Sequence, residues 1–295
     1  MPSLKEVKTR IVSVSSTVQI TSAMKMVSAA KLKRAQDAIT QMRPYATKLR
    51  DILENLSSSL DSSESTYSQQ REPKKVLLVV ITSNRGLCGA FNANVLKQVR
   101  VLLSTKYQAQ YQAGNVSVVT LGKKATDYFT KNKFNILLAD NMVFDGLSFA
   151  KAAPVAEFVM QGFAAGDYDA VELVYNQFKN AAVQELQTEQ YLPVVSAPAA
   201  AGAKKAMSND YIFEPSKEEI VKDLIPKSLK TQLYKALLDS HASEHGARMT
   251  AMHKATDNAK ELIKELKLTY NKARQASITN DILEIVGGAE ALNNG

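Results

Sequence analysis

Hydrophobic side chains recur at alternating steps of three and four residues along the first 57 residues of the chain. Sixteen positions share this spacing: Leu4, Val7, Ile11, Val14, Val18, Thr21, Lys25, Ser28, Leu32, Ala35, Ile39, Met42, Ala46, Leu49, Leu53 and Leu56. Thirteen of them are apolar, which is typical of a helix that pairs with another helix in a coiled coil. Ser3 and Glu6 form a capping box at the start, whereas Pro44 is expected to kink or loosen the helix. The pattern predicts one long helix over residues 3–57.

The polar seam positions are consecutive. Thr21, Lys25 and Ser28 interrupt the hydrophobic seam, and Met24 and Met26 flank the interruption. A polar residue in a seam can fix the register of two paired helices. The same residues could instead contact a protein other than the paired helix. The sequence leaves both interpretations open.

A second seam lies near the carboxyl terminus. Pro226 is the last proline, and Gly246 is the only glycine in residues 227–286, so a helix is predicted from residue 227 to about residue 287. Ten positions form its seam: Met252, Ala255, Ala259, Leu262, Leu266, Thr269, Ala273, Ala276, Asn280 and Leu283. Eight of the ten are apolar. Two seams at opposite ends of the chain predict an antiparallel pair of helices with a domain inserted between them.

The residues between the two helices alternate short apolar runs with helical patterns. Strands are predicted over residues 76–81, 116–121, 135–139, 170–178 and 182–192, and helices over 91–104, 123–131 and 148–164. This alternation favours a mostly parallel sheet covered by helices, a Rossmann-like α/β domain. The predicted fold class is α/β, a long antiparallel coiled coil with this domain inserted.

The predicted domain boundaries follow changes in composition. The coiled-coil shaft comprises residues 1–57 and 212–295, and the α/β foot domain comprises residues 74–192. A Ser-rich linker, 58–73, and an Ala/Pro linker, 193–211, join them.

Two segments invite an enzymatic interpretation. The loop of residues 82–89 follows the first strand but contains neither G-x-G-x-x-G nor G-x-x-x-x-G-K-[ST], so it is interpreted as a turn that needs positive φ, with Cys88 packed as a small apolar residue. His241, Glu244 and His245 match H-x-x-E-H, a zinc peptidase pattern, but a third ligand is not apparent. Both histidines are therefore interpreted as exposed helical residues. No catalytic residue, cofactor or metal is expected.

Charge is concentrated at one end of the chain. The first 50 residues hold ten Lys or Arg and two acids, a net +8 that equals the net charge of all 295 residues. Such a segment usually meets an acidic partner: nucleic acid, anionic lipid or a negative protein surface. One alternative is a basic coiled-coil RNA-binding protein, although Tyr45 is the only aromatic residue before residue 60. An α/β enzyme with a coiled-coil appendage is another. The longest apolar run, Val76–Ile81, is too short to cross a bilayer.

Three segments carry a family resemblance. Residues 255–266 (ATDNAKELIKEL) with 270–279 (YNKARQASIT), the amino-terminal residues 10–14 (RIVSV) and 20–32 (ITSAMKMVSAAKL), and the central residues 85–92 (RGLCGAFN) closely resemble the gamma subunit of F-type ATP synthase. They occur in the family's order, so the resemblance covers the whole chain. It implies the central-stalk rotor of a proton-translocating ATP synthase, which couples rotation of the c-ring to conformational change at the beta-subunit catalytic sites.

The resemblance also implies partners and contact residues. The partners are the hexamer of alpha and beta subunits, the epsilon subunit and the c-ring, with no nucleic acid and with membrane association only through the complex. Residues implied to contact beta subunits are Met24, Lys25, Lys31, Lys33, Arg34, Arg248, Arg274, Gln275, Thr279 and Asp281. Residues implied to form an apolar bearing are Ile282, Leu283, Ile285 and Val286. Asp281 stands where the family commonly has glutamate.

The implied location is the cytoplasmic side of a bacterial plasma membrane. The seam begins at Leu4 and leaves no room for an Arg-rich transit peptide. The cysteine-bearing insertion of chloroplast relatives is absent, so thiol control of that kind is not expected.

Overall fold

The fold combines two very long helices with a five-stranded sheet. A computed structural model describes residues 3–57, 66–194 and 217–293. The elements in chain order are α1 (Leu4–Ser57), β1 (Val76–Ile81), α2 (Phe91–Ser104), α3 (Gln108–Gln112), β2 (Val116–Leu121), α4 (Lys123–Lys131), β3 (Asn135–Asp140), α5 (Phe149–Ala165), β4 (Ala170–Phe178), β5 (Gln184–Leu192) and α6 (Lys217–Asn293). Half of the predicted Ser-rich linker, residues 58–65, and most of the predicted Ala/Pro linker, residues 195–211, lie outside the described residues.

The contacts within the chain divide it into two compact units. One comprises Met1–Ser28 and Met249–Gly295, and we call it the paired-helix unit. The other comprises Ala29–Arg248, and we call it the sheet unit because it contains all five strands. The domain boundaries proposed from composition remain a prediction.

In the sheet unit the strands lie in the order β3-β2-β1-β4-β5. β1 pairs in parallel with β2 and β4, β2 pairs in parallel with β3, and β5 runs antiparallel to β4. All six residues of β1 are buried, because this central strand is covered on both faces. The predicted, mostly parallel α/β fold is thus confirmed.

Two hydrophobic cores flank the sheet. One face packs on α2 and α4, with Val95, Val99 and Phe129 fully buried. The other face packs on α5 and on the first part of α6, through residues such as Leu233 and Leu237. Their spacing of four residues on one helix explains why this stripe of α6 docks on the sheet.

The α1 seam is confirmed by burial. Each seam side chain from Leu4 to Leu49 is buried or half-buried, while the side chains of Leu53 and Leu56 lie outside those the structure describes. Contacts within the paired-helix unit run in opposite directions on the two helices, since Thr21 meets Thr256 and the later Lys25 meets the earlier His253. The predicted antiparallel pairing is therefore confirmed.

Three sequence expectations about the helices were wrong. Helix α6 begins at Lys217, not at residue 227, and continues through Pro226. Flanking residues Ile225 and Leu229 are buried in the sheet unit, and this burial outweighs the lost backbone hydrogen bond of proline. The α6 seam ends before Asn280 and Leu283, which are exposed. The short helix α3 was not predicted at all.

Candidate functional site

The polar interruption of the α1 seam lies inside the paired-helix unit. The Thr21 and Thr256 hydroxyl oxygens are 2.7 Å apart, and both residues are buried. Each hydroxyl is also within hydrogen-bond distance of a carbonyl of its own helix. Ser28 is buried and donates to the Met24 carbonyl at 2.8 Å. Because these polar groups are satisfied within the chain, Thr21 and Ser28 suit a register device.

Lys25 differs from its two polar seam neighbours. Its side chain is half-buried, and Nζ lies 3.5 Å from Nδ1 of His253. The same histidine nitrogen lies 3.3 Å from a carboxylate oxygen of Asp257. Met24 is half-buried and Met26 is exposed, so a surface accessible to a partner lies directly beside this group.

The carboxyl-terminal end of α6 is exposed on all sides. The predicted contact residues Arg274, Gln275, Thr279 and Asp281 are all exposed, and Thr279 donates to the Gln275 carbonyl at 2.9 Å. The predicted bearing residues are likewise exposed: Ile282, Leu283, Ile285 and Val286. Their exposed fractions run from 50% to 72%, which leaves a contiguous apolar surface uncovered by the described residues.

The predicted basic contacts of the sheet unit lie on α1. Lys31, Lys33 and Arg34 are exposed, and Lys33 forms an ion pair with Asp37 at 2.9 Å. An exposed i, i+4 pair of this kind contributes little to stability, about 0.3–0.5 kcal/mol. These side chains are therefore available to an acidic partner.

Arg248 is different, because its guanidinium is used within the sheet unit. Nη1 donates to Glu244 at 2.6 Å and lies 3.4 Å from Nδ1 of His245. Nη2 donates to the Arg85 carbonyl at 3.1 Å and to the Gly86 carbonyl at 3.3 Å, and Nε donates to Gly86 at 3.4 Å. These contacts engage all five guanidinium N–H groups. Sequence reasoning missed this role, although Glu244 four residues earlier on the helix was a signal for the ion pair.

The loop after β1 is the turn that the sequence predicted. Gly89 has φ 59° and Leu87 has φ 62°, so two residues adopt the left-handed region. Cys88 is buried, and the amide of Asn92 donates to its sulfur at 3.2 Å. Burial raises the pKa of the Cys88 thiol. The interpretation of Cys88 as a packed residue is confirmed.

The interpretation of His241 and His245 as exposed residues was wrong. His245 is buried and His241 is half-buried, with their Nε2 atoms 3.1 Å apart. Burial is the main cause that lowers the pKa of His241 to about 4 and of His245 to about 3, and the cations Lys31 and Arg248 add to it. Among the described residues, no three His, Cys, Asp or Glu side chains are grouped to hold a metal ion.

Comparison with known proteins identifies the family. A model of the ATP synthase family matches residues 3–292. The ATP synthase gamma chain of Flavobacterium psychrophilum is 62% identical, and the match covers 99% of each chain. The chain belongs to the ATP synthase gamma chain family. The predicted function, central-stalk subunit of an F-type ATP synthase, is thereby confirmed, and the RNA-binding alternative is not supported.

Two cryo-EM structures resemble this gamma chain. One shows the central stalk and c-ring of the Tetrahymena thermophila mitochondrial ATP synthase, with 26% identity, a TM-score of 0.58 and coverage of 80% of this chain and 99% of that chain. The other shows OSCP, F1 and the c-ring of the Euglena gracilis mitochondrial enzyme, with 25% identity, a TM-score of 0.70 and coverage of 99% and 95%.

The ATP synthase is a membrane-associated complex. In the part of this gamma chain that the structure describes, no helix combines the length and hydropathy needed to cross a bilayer. Contacts of the individual residues with partner subunits remain predictions.

Proposed function

We propose that this gamma chain is the non-catalytic rotating shaft of its ATP synthase. Its partners are the hexamer of alpha and beta subunits around the paired helices, with the epsilon subunit and the c-ring at the foot domain. Rotation of the c-ring turns the shaft, and the shaft changes each beta subunit in turn. The chain reaches the membrane only through the complex, on the cytoplasmic side of a bacterial plasma membrane.

The observation that carries this proposal is the exposed end of α6. Every residue from Ile278 to Glu290 is exposed, although four of the predicted bearing residues in this stretch are large and apolar. A contiguous exposed apolar surface of this kind marks an interaction site. A sleeve of partner subunits would bury it on all sides, which is what a bearing requires.

The shaft acts by differential binding. A rigid element shifts a neighbour between conformations only by making better contacts with one of them. The exposed side chains of Lys31, Lys33 and Arg34 supply cations for acidic beta loops, and Arg274 and Gln275 supply donors near the end of α6. Met24 and Lys25 lie beside the buried threonine pair, where the shaft has a fixed register. Because the N–H groups of Arg248 are engaged within the sheet unit, none is free for a beta subunit. We therefore assign Arg248 first to holding the loop after β1.

A single introduced cysteine tests the sleeve. Cys88 is the only native cysteine and is buried, so a cysteine at position 285 would be the accessible thiol. We expect Ile285→Cys to react quickly with a water-soluble maleimide in the free chain. Assembly with alpha and beta subunits should slow that reaction at least tenfold. Leu137→Cys, which lies in the sheet unit and is exposed, is the matched control and should keep its rate. Equal protection factors at both positions would refute the bearing.

Coupling tests the contact residues. Met24→Lys adds a cation beside the predicted beta contact, and a partly desolvated ion pair there would be worth about 1–3 kcal/mol. Extra binding in one rotary position lowers the free energy of the shaft in that position and slows its rotation out of it. We expect that the variant assembles normally and still hydrolyses ATP but pumps fewer protons per ATP in vesicles carrying the reassembled enzyme. An unchanged ratio would leave Met24 without a coupling role.

A further inference from the structure

The contacts of His245 fix the position of its ring proton. Nδ1 of His245 lies 3.4 Å from Nη1 of Arg248, and a guanidinium only donates hydrogen bonds. Nδ1 must therefore accept, which requires a neutral ring that carries its proton on Nε2.

The proton of the second histidine is fixed by its contact with the first. Nε2 of His245 lies 3.1 Å from Nε2 of His241, so the first nitrogen donates and the second accepts. His241 then carries its own proton on Nδ1, the less common position for a neutral imidazole. Both rings stay neutral near pH 7, because burial and the nearby cations lower the pKa of each histidine.

The geometry points to a positioning function for this pair. We infer that His241 and His245 form a chain of hydrogen bonds with fixed ring-proton positions, which we call the relay. The relay orients Arg248 against the carbonyls of residues 85 and 86. It thereby holds the turn in which Leu87 is exposed. The relay runs in one direction, from the Arg248 donor through His245 to His241. Neither histidine is a ligand or a catalytic group in this assignment.

The turn needs such support. Leu87 has a branched side chain in the left-handed region, at φ 62°, and 65% of it is exposed. A residue of this type keeps that conformation only when its surroundings impose it. Ser83 donates to the Arg85 carbonyl at 2.6 Å, and Arg248 donates to the same carbonyl at 3.1 Å. The turn is thus held between two donors.

The groups around the relay are consistent with neutral rings. Lys31 on α1 and Arg248 on α6 both disfavour an imidazolium, while Glu244 is paired with Arg248 at 2.6 Å. The ring of Phe144 stacks on His241, with centroids 5.9 Å apart and planes 15° from parallel. This stacking fixes the orientation of the last ring in the relay.

The tautomers can be observed directly. In the full chain labelled with 15N-histidine, imidazole nitrogen shifts at pH 7.5 should show His245 protonated on Nε2 and His241 protonated on Nδ1. His241→Gln assigns the signals. Two Nε2-protonated rings, or a charged imidazolium at either position, would overturn the inference.

Hydrogen exchange tests the effect on the turn. His245→Gln keeps an acceptor for Arg248 and a donor for His241, whereas His245→Leu keeps only volume. We expect His245→Leu to speed exchange of the amides of residues 86–89 roughly tenfold, because a buried guanidinium donor loses its partner. His245→Gln should restore the wild-type rate. His253→Leu, an exposed histidine of the same helix, is the matched control.

Equal exchange in His245→Leu and wild type would overturn the inference, as would equally fast exchange in the Leu and Gln variants. Both measurements use the chain without partners.

Discussion

Two stretches of the same helix invert the usual relation between polarity and burial. In the sheet unit, residues 236–246 of α6 are all buried except half-buried His241, yet they include Asp239, Ser240, Ser243 and Glu244. In the paired-helix unit, residues 278–290 are all exposed, yet they include large apolar residues. Soluble proteins normally bury the second kind of residue and expose the first.

The two stretches have different physical explanations. The buried stretch lies between the sheet and α1, so its polar groups must find partners inside the chain or remain unsatisfied. One carboxylate oxygen of Asp239 and the hydroxyls of Ser240 and Ser243 have no hydrogen-bond partner among the described residues. In the exposed stretch, no described residue covers the apolar side chains of Ile282, Leu283, Ile285 and Val286, so under the proposed function another subunit would cover them. Burial of unsatisfied polar groups in the first stretch costs stability, whereas exposed apolar side chains in the second are typical of an interaction surface.

The largest expected difference between the stretches is the response to truncation. Leu233 is fully buried in the core on which the first stretch rests, and Leu233→Ala should lower the free energy of unfolding by about 2–5 kcal/mol. Leu283→Ala removes a side chain that is 62% exposed and should change it by less than about 0.5 kcal/mol. Denaturant unfolding of the free chain, followed by circular dichroism, measures both. Similar losses would mean that the end of α6 is packed within the free chain.

Acid should weaken the buried stretch. The folded pKa values of His241 and His245, about 4 and about 3, lie below the usual value near 6.5. Unfolding therefore takes up protons below pH 6.5, and stability falls as the pH drops toward those values. The expected loss by pH 5 is about 2 kcal/mol for each histidine. Unfolding of wild type and of the double variant with glutamine at both positions, at pH 7.5 and pH 5, measures it.

His253→Gln is the control for that comparison, because His253 is exposed in the paired-helix unit. An identical pH dependence of wild type and the double glutamine variant would show that the pair is not held neutral.

The contribution of Asp239 to stability should change with pH in the opposite direction to that of the two histidines. Burial is the main cause that raises its pKa to about 6, and Lys235 and Arg43 only partly oppose it. Ionised Asp239 is therefore destabilising above pH 6, and Asp239→Asn should stabilise the chain by about 1–3 kcal/mol at pH 7. The gain should shrink as the pH falls from 6 toward 4, because the acid then takes up its proton. A gain that is independent of pH would point to packing rather than charge.

The two hydroxyls of the buried threonine pair should contribute to stability jointly, by less than the effects predicted above. Thr21→Val and Thr256→Val each remove one hydroxyl of the contact at 2.7 Å. The double variant removes both partners of the hydrogen bond and leaves neither unsatisfied. Its loss of stability should therefore be smaller, by about 1 kcal/mol, than the sum of the losses in the two single variants. Hydrogen exchange of the amides in the paired-helix unit measures the three variants. Additive effects would show that the pair does not set the register.

The smallest stability change should come from Arg274→Ala. Arg274 is exposed, so the free energy of unfolding should change by less than about 0.5 kcal/mol. The proton-to-ATP ratio of the reassembled enzyme should nevertheless fall. Lys267→Ala, another exposed cation on the same helix, is the matched control and should leave the ratio unchanged. An unchanged ratio in Arg274→Ala would remove it from the proposed contacts.

The spacing of hydrophobic residues predicted those helices and strands whose buried positions follow a local repeat. The seam from Leu4 to Leu49 matches the buried positions of α1, and the runs 76–81, 116–121 and 170–178 match β1, β2 and β4. The α6 seam could not reveal where burial ends, because the three-four spacing continues past Ala276 to Leu283, whereas Asn280 and Leu283 are exposed. The start of α6 was missed because proline alone argues for a break, whereas the burial of Ile225 and Leu229 is a tertiary effect.

The two long helices, the mostly parallel sheet and, through the family resemblance, the central-stalk function were predictable from the amino-acid sequence. These follow from repeats and motifs that neighbouring residues carry along the chain. Tertiary contacts alone reveal that Thr21 meets Thr256 and that two histidines pair in a buried site. They also reveal that Arg248 divides its donors between the side chains of residues 244 and 245 and the carbonyls of residues 85 and 86. The physical reason is that hydrogen bonds between residues far apart in the chain depend on distances and burial, which no spacing in the sequence records.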